Sequence, residues 1–131
     1  MSVWKNDTEK TIFSEILRNL RKSVPLFRGA IISSITGFPF AHDLSPGRNP
    51  VIMSSMCAEI YNRVSEAAME IGLKDHNYTI SSLDDMMIAT FGMGQSLLVT
   101  ITTERGANID DIVEAGLKAV ERIGNSLSFI Q

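Results

Sequence analysis

The sequence holds one cysteine, Cys57, so no disulfide can close within the chain. A small secreted scaffold stapled by bridges is excluded, and the thiol reads as a small buried hydrophobe in a reducing compartment. Lys and Arg number 12 against 15 Asp and Glu, a net charge of −3, and no basic block or aromatic-interleaved cationic stripe occurs. Nucleic-acid binding, which phosphate contacts dominate, has little to stand on. No apolar run approaches the roughly 18 residues of a membrane span, so no direct membrane insertion is expected. The opening Met1-Ser2-Val3-Trp4-Lys5 is no signal peptide, and position 2 is not the glycine that myristoylation needs. A cytoplasmic protein is expected, and the sequons Asn6-Asp7-Thr8 and Asn77-Tyr78-Thr79 mean nothing without secretion.

What the chain does have is apolar surface. Its 131 residues are 44% hydrophobic, which suits one domain over 1–131 with a core from about 7 to 130. Residues 49–72 concentrate that surface. Asn49 is a good N-cap, Pro50 suits the first helical position, and Gly72 supplies a left-handed stop. On a helix, Met53, Met56, Cys57, Ile60, Val64, Ala67, Ala68 and Ile71 fall on one stripe, the expected core face. A second flank carries Val51, Ser54, Ala58, Tyr61, Ser65 and Met69, leaving Glu59, Asn62, Arg63, Glu66 and Glu70 the remaining sector. The apolar sector is about twice the ~100° a surface helix needs. The expectation is that the stripe packs on the protein's own sheet and the second flank on a partner.

The flanking segments are more ordinary. Asp7 or Thr8 can cap a helix to about residue 23, with Ile12, Phe13, Ile16, Leu17, Leu20 and Val24 on one face and Pro25 beyond its end. Trp4 lies off that stripe and is assigned no role. From 28 to 43 the period changes to two, with Thr36-Gly37 as a tight hairpin turn. That register sets Ile35 opposite Phe38, Ser33 opposite Phe40 and Ile31 opposite His42, so these six share a face and Asp43 points away. A nucleophile–base–acid set from Ser33 or Ser34, His42 and Asp43 is therefore excluded, because the acid must hold the base. Pro39 makes the second strand an edge strand.

Three strand-like runs follow, 74–83, 86–91 and 96–103, joined at Asp84-Asp85 and Gly92-Met93-Gly94-Gln95 as an antiparallel meander. Tyr78 sits opposite Phe91, and His76 reads as a solvated residue at a strand start. Gly92-Met93-Gly94 lacks the lysine and following helix of a phosphate loop, so it reads as a turn. Asn108 caps the last helix, Asp111 takes the capping-box position, and Ile109, Ile112, Val113, Gly116, Val120, Ile123 and Leu127 form its buried stripe. Gly116 weakens the helix by about 1 kcal/mol, which implies close approach to the sheet.

The fold class is α/β, in the order helix, two strands, helix, three strands, helix, with one five-stranded antiparallel sheet. This order resembles the roadblock/dynein light chain family. The carriers are the stretch from Arg28-Gly29-Ala30 through Phe38-Pro39-Phe40 to Asp43-Leu44, the small-residue-rich helix ending Ile71-Gly72-Leu73, and Ser96-Leu97-Leu98-Val99-Thr100-Ile101-Thr102 leading to Asn108-Ile109. The resemblance implies the sheet order second, first, fifth, fourth, third strand, with the central helix on one face and the terminal helices on the other. Independently of it, the third strand lacks charge and proline, the usual guards of an exposed edge.

The resemblance also implies a roadblock-like dimer, with itself or a roadblock paralogue, joined through the third strand and the central helix. Its interface is expected at Ser54, Ala58, Tyr61, Ser65, Met69, Tyr78, Ile80 and Ser82. Such a dimer is a platform for a Ras-like small GTPase, with Arg28, Arg48 and Arg105 as candidate contacts, and does no chemistry of its own. No cofactor, metal or catalytic residue is expected, since no acid–base pair survives the face analysis. A structural adaptor of a motor or membrane-associated complex, indifferent to nucleotide state, is the alternative.

Overall fold

The computed structural model describes residues 7–93 and 96–130, with side chains for 10–93 and 96–126. Trp4, the turn residues Gly94 and Gln95, the Asp7 and Thr8 cap side chains and the Leu127 side chain lie outside the described residues. The elements run α1 (Asp7–Ser23), β1 (Phe27–Ser34), β2 (Pro39–Asp43), α2 (Pro50–Glu70), β3 (Tyr78–Ser82), β4 (Met86–Met93), β5 (Leu97–Glu104) and α3 (Ile109–Ile130). One antiparallel sheet takes the order β2-β1-β5-β4-β3, as the resemblance implies, with Pro39 opening an edge strand.

The two faces of this sheet are chemically unlike. Alternation sends Ala30, Ile32, Ala89, Phe91, Leu97, Val99 and Ile101 to one side, where Phe13, Ile16, Leu17 and Leu20 of α1 and Ile112, Ala119 and Ile123 of α3 cover them. This is the main core. The Tyr78–Phe91 pair forms as expected, with ring centroids 5.5 Å apart. Gly116 lets α3 down onto the sheet, since a methyl group there would lie 2.3 Å from the buried Phe91 ring. Asn108 Oδ1 accepts from Asp111 N at 3.0 Å, giving the cap. Glu15 and Arg122 join α1 to α3 at 2.8 Å. Ile109, expected in the buried stripe, is exposed because it stands in the first turn, before α3 reaches the sheet.

The other face is more polar: Ser33, Thr90, Thr100 and Thr102 are all buried there beside Ile31 and Leu98, under α2. Its cluster of buried apolar residues is only Ala58, Tyr61 and Leu98, with Ile35 against it.

The first hairpin departs from the expected register. Ile31 does pair with His42, but Ser33 pairs with Pro39 rather than Phe40. A bulge between Ile32 and Ser33 absorbs the extra residue, and β1 ends at Ser34, whose N donates to Phe38 O at 2.8 Å. Proline has no N–H for the ladder, so the strand shifts at that point. Phe40 is thereby turned to the main core, stacked on Phe13 at 6.3 Å. At the other hairpin Gly92 and Met93 belong to β4, opposite Leu98 and Leu97, and not to the turn.

Candidate self-association face

The central helix is bounded as its sequence requires. Asn49 Oδ1 accepts from Val51 N at 2.9 Å and Ile52 N at 3.2 Å. At the far end Gly72 has φ +85. Leu73 N donates to Ala68 O at 2.8 Å and Gly72 N to Met69 O at 3.1 Å, which is a Schellman close.

Its buried face is turned from the expected stripe, keeping Cys57 but otherwise taken from the second flank. Ser54, Cys57, Ala58 and Tyr61 are buried on the chain's own sheet, so Ser54, Ala58 and Tyr61 are corrected from partner-facing to core residues. Side-chain volume explains this. Ser54 and Ala58 are small enough to bring the helix backbone against the sheet, and the Ser54 hydroxyl donates to Gly37 O at 2.8 Å. Gly37 completes the approach, because a Cβ on it would stand 2.7 Å from Ser55 Cα. Tyr61 enters over Gly92, where a Cβ would lie 2.0 Å from the phenol oxygen, and its hydroxyl donates to His76 O. Asn62 Nδ2 adds a bond to Ile35 O at 3.0 Å.

The bulkier stripe is left outside. Met56, Ile60, Val64 and Ile71 are 60%, 48%, 41% and 75% exposed. They share one stripe of α2, and at its N-terminal half Met53, Met56, Cys57 and Ile60 wall an apolar cleft of about 270 Å³ against Thr79, Ser81 and Leu83. Burial in that wall pushes the Cys57 thiol up, against the downward pull of the Thr90 and Thr100 hydroxyls.

The other expected interface residues divide. Ser65 is half-buried and donates to Tyr61 O at 3.1 Å, so it too is turned inward. Met69 is 72% exposed, on the opposite flank of α2 from the apolar cleft. Tyr78 and Ser82 are exposed and Ile80 is half-buried, packed against the main core. β3 pairs with β4 alone, which leaves its outer backbone edge unpaired.

His76 is not the solvated residue expected. Its ring stacks on Tyr61 at 4.0 Å, with Nδ1 2.6 Å from Ser65 Oγ and Nε2 2.6 Å from Thr79 Oγ1. Burial holds its imidazole below the usual range, against backbone groups of Tyr78 and Tyr61 that pull it up. Burial likewise raises the Tyr61 phenol.

The candidate arginines gather about the Asp84-Asp85 turn. Arg28 Nη1 lies 3.7 Å from Asp85 Oδ2, and Arg105 Nη1 donates to Asp84 O at 3.3 Å. Arg28 and Arg48 share a polar cleft of about 330 Å³ with Asp85 and Ser45. At the opposite edge, Asp43 is bound by Arg21 at 2.7 Å through both carboxylate oxygens, which holds its carboxyl below the usual range. It orients no histidine.

Besides Ser54, Ala58, Tyr61 and His76, sequence reasoning misplaced Met56, Ile60, Val64 and Ile71. The signal for them was the run of small residues Ser54, Ala58 and Ser65 at one helical flank, where close packing is possible.

No family model and no curated protein matches the sequence. Solved structures do. The structure is similar to MglB in a tetrameric arrangement, with TM-score 0.79 and 14% identity over 92% of this chain and 90% of that one. For Myxococcus xanthus MglB the TM-score is 0.88 at 9% identity, over 100% and 97% of the two chains. For a Roadblock/LC7 domain from Streptomyces avermitilis it is 0.80 at 16% identity, over 87% and 96%. With TM-scores of 0.79 to 0.88 over nearly the whole of each chain, this chain has the Roadblock/LC7 fold.

Proposed function

We infer that this chain is a single-domain, non-enzymatic, cytoplasmic protein that forms a dimeric platform and regulates a Ras-like small GTPase. One observation carries the dimer: Met56 and Ile60, of the exposed apolar stripe that Val64 and Ile71 continue along α2, lie across an apolar cleft from β3, whose outer edge is unpaired. A contiguous apolar patch rimmed by charge marks an interaction site, and an edge strand offers backbone donors and acceptors to a second strand. Together they suit a second copy related by a two-fold axis, which would extend the sheet and lay the two central helices side by side. MglB, with the same fold, is seen in a tetrameric arrangement.

The GTPase follows from the roadblock resemblance. The two side chains nearest to an acid–base role are engaged structurally, Asp43 by Arg21 and His76 by Ser65 and Thr79. Regulation then comes through preferring one switch conformation of the GTPase, and its extent is limited by the difference in affinity for the two states. Among the described residues no helix is long and apolar enough to cross a membrane.

The test is capture of purified Ras-like GTPases, loaded with diphosphate or with a non-hydrolysable triphosphate, on the immobilised chain. The expected result is preferential retention of one nucleotide state. Equal retention would replace regulation with the adaptor reading, and no retention of any such GTPase would remove the GTPase from the proposal.

A further inference from the structure

Arg28 reaches the α2 side of the sheet because β1 carries a second bulge. Against β5, Phe27 pairs with Thr103 and Gly29 with Thr102, so Arg28 is the extra residue between two successive rungs. Strict alternation from Ile31 would send Phe27 and Gly29 toward α2 and leave Arg28 beside Ala30 and Ile32 in the main core. The bulge exchanges Phe27 with Arg28. Phe27 packs on the main core, beneath the Arg21 guanidinium, and Arg28 is turned into the polar cleft with Met53 of α2 and Thr102 of β5.

Arg48 comes to the same cleft from a fixed backbone. Ser45-Pro46-Gly47-Arg48 is a tight turn, closed by Arg48 N donating to Ser45 O at 3.2 Å, with Gly47 at φ +89 as a type II turn requires at its third residue. Asn49, next in the chain, is pinned as the N-cap of α2. Across the cleft, Arg105 N donates to Asp85 O at 3.0 Å and the Arg105 guanidinium to Asp84 O, which holds the β3–β4 turn. Arg105 is a strut of that turn, not a wall of the cleft.

The cleft holds more positive than negative charge. Two guanidiniums line it against one carboxylate, Asp85, whose side chain is 77% exposed and stands 3.7 Å from Arg28 Nη1, too far for a hydrogen bond. The Arg48 guanidinium has no ion pair or hydrogen bond among the described residues. Elsewhere the same side chain is fully engaged: Arg21 grips Asp43 through two bonds of 2.7 Å, and Arg122 holds Glu15 at 2.8 Å. Met53 walls both this cleft and the apolar cleft against β3, so the cationic pair borders apolar surface.

We propose that this cleft docks an acidic side chain of a protein partner, which takes Arg28 and Arg48 together and displaces Asp85. A carboxylate suits it better than a phosphate dianion, because Asp85 stays at the rim and its repulsion grows with the charge brought in. An apolar neighbour of the docked acid would meet Met53. That the partner is the GTPase rests on the preceding reading; the carboxylate chemistry stands on the cleft alone.

The test titrates the isotope-labelled chain at low salt with a blocked tetraglutamate peptide, its tetraglutamine counterpart and inorganic phosphate, reading the NMR signals of the arginine Nε–H groups. Arg28→Gln and Arg48→Gln assign the two signals. Both are expected to shift saturably with tetraglutamate and not with tetraglutamine. Either variant should weaken peptide binding about tenfold, the scale of one charged hydrogen bond. Asp85→Asn should tighten it about threefold, the scale of an exposed ion pair. Arg18→Gln, exposed on α1, should change nothing. Absence of saturable shifts, equal weakening by Arg18→Gln, or no tightening in Asp85→Asn overturns the docking site. Phosphate saturating both signals at lower concentration than the peptide overturns the assignment to a carboxylate. GTPase capture is then repeated with Arg28→Gln and Arg48→Gln combined, and retention at the wild-type level overturns the GTPase as the source of the acid. If the wild type itself retains no GTPase, the preceding reading fails and the peptide titration still decides the cleft.

Discussion

Gly116 and Gly124 stand in one helix, yet a methyl group added to each meets opposite surroundings. At Gly116 it would press into the ring of Phe91 at 2.3 Å, and Phe91 is fully buried with no room to withdraw. At Gly124 the nearest atom is Met93 Sδ at 3.4 Å, an ordinary contact. Glycine to alanine gains about 1 kcal/mol of helix propensity, whereas overpacking a core costs roughly 1–3 kcal/mol. Gly116→Ala is expected to lower stability by up to about 2 kcal/mol and Gly124→Ala to raise it by up to about 1 kcal/mol, both read from urea unfolding. Shifts of the same sign would contradict the geometry. The close approach at Gly116 was legible because a helix interior tolerates glycine only for a reason. The setting of His76 was not: its partners Ser65 and Thr79 lie 11 and 3 residues away, on two different elements, and no periodicity within one element reports on that.

At the scale of the element, adjacent residues of α2 should behave oppositely. Tyr61 is 4% exposed above Gly92, while Ile60 stands half-exposed at the apolar cleft. Tyr61→Glu would bury a carboxylate among Leu98, Ile35 and the His76 ring, with no cation beside it among the described residues, and truncating a large aromatic alone costs roughly 3–5 kcal/mol. It is expected to unfold the chain or nearly so. Ile60→Arg should leave the protomer's urea midpoint within about 0.5 kcal/mol of wild type, as surface changes do, and abolish self-association in light scattering. If Ile60→Arg unfolded the chain and Tyr61→Glu spared it, the faces would be as periodicity first suggests. Both flanks of α2 are apolar, and a 3.6-residue period ranks them equally. What decides between them is volume: the sheet face beneath is lined by threonine and serine at close range, and only Ser54 and Ala58 bring a backbone that near. The bulge in β2 was hidden for a similar reason, since alternation carries no count of how many residues a proline displaces.

For the whole molecule, the unlike faces of the sheet set the need for company. One side is closed by two amphipathic helices over a continuous apolar core, and that half of the architecture was legible because α1 and α3 are each one-sided. The other side buries a smaller apolar set, Ile31, Cys57, Ala58, Tyr61 and Leu98 among threonines and serine, and leaves Met56, Ile60, Val64 and Ile71 exposed. A stable interface removes roughly 800 Å² per partner, about a tenth of the 7864 Å² this chain exposes. A flank of a 21-residue helix beside a free strand edge is where that area is available. If the folded form is the dimer, unfolding releases two chains from one assembly, and mass action ties stability to concentration. Each tenfold rise in protein is worth about 1.4 kcal/mol per mole of dimer, which for a chain of this size raises Tm by about 3 °C. Calorimetry over two decades of concentration should show that slope in the wild type and none in Ile60→Arg. A wild-type Tm indifferent to concentration would mean that the exposed stripe of α2 waits for a different protein, and that self-pairing is not what completes this fold.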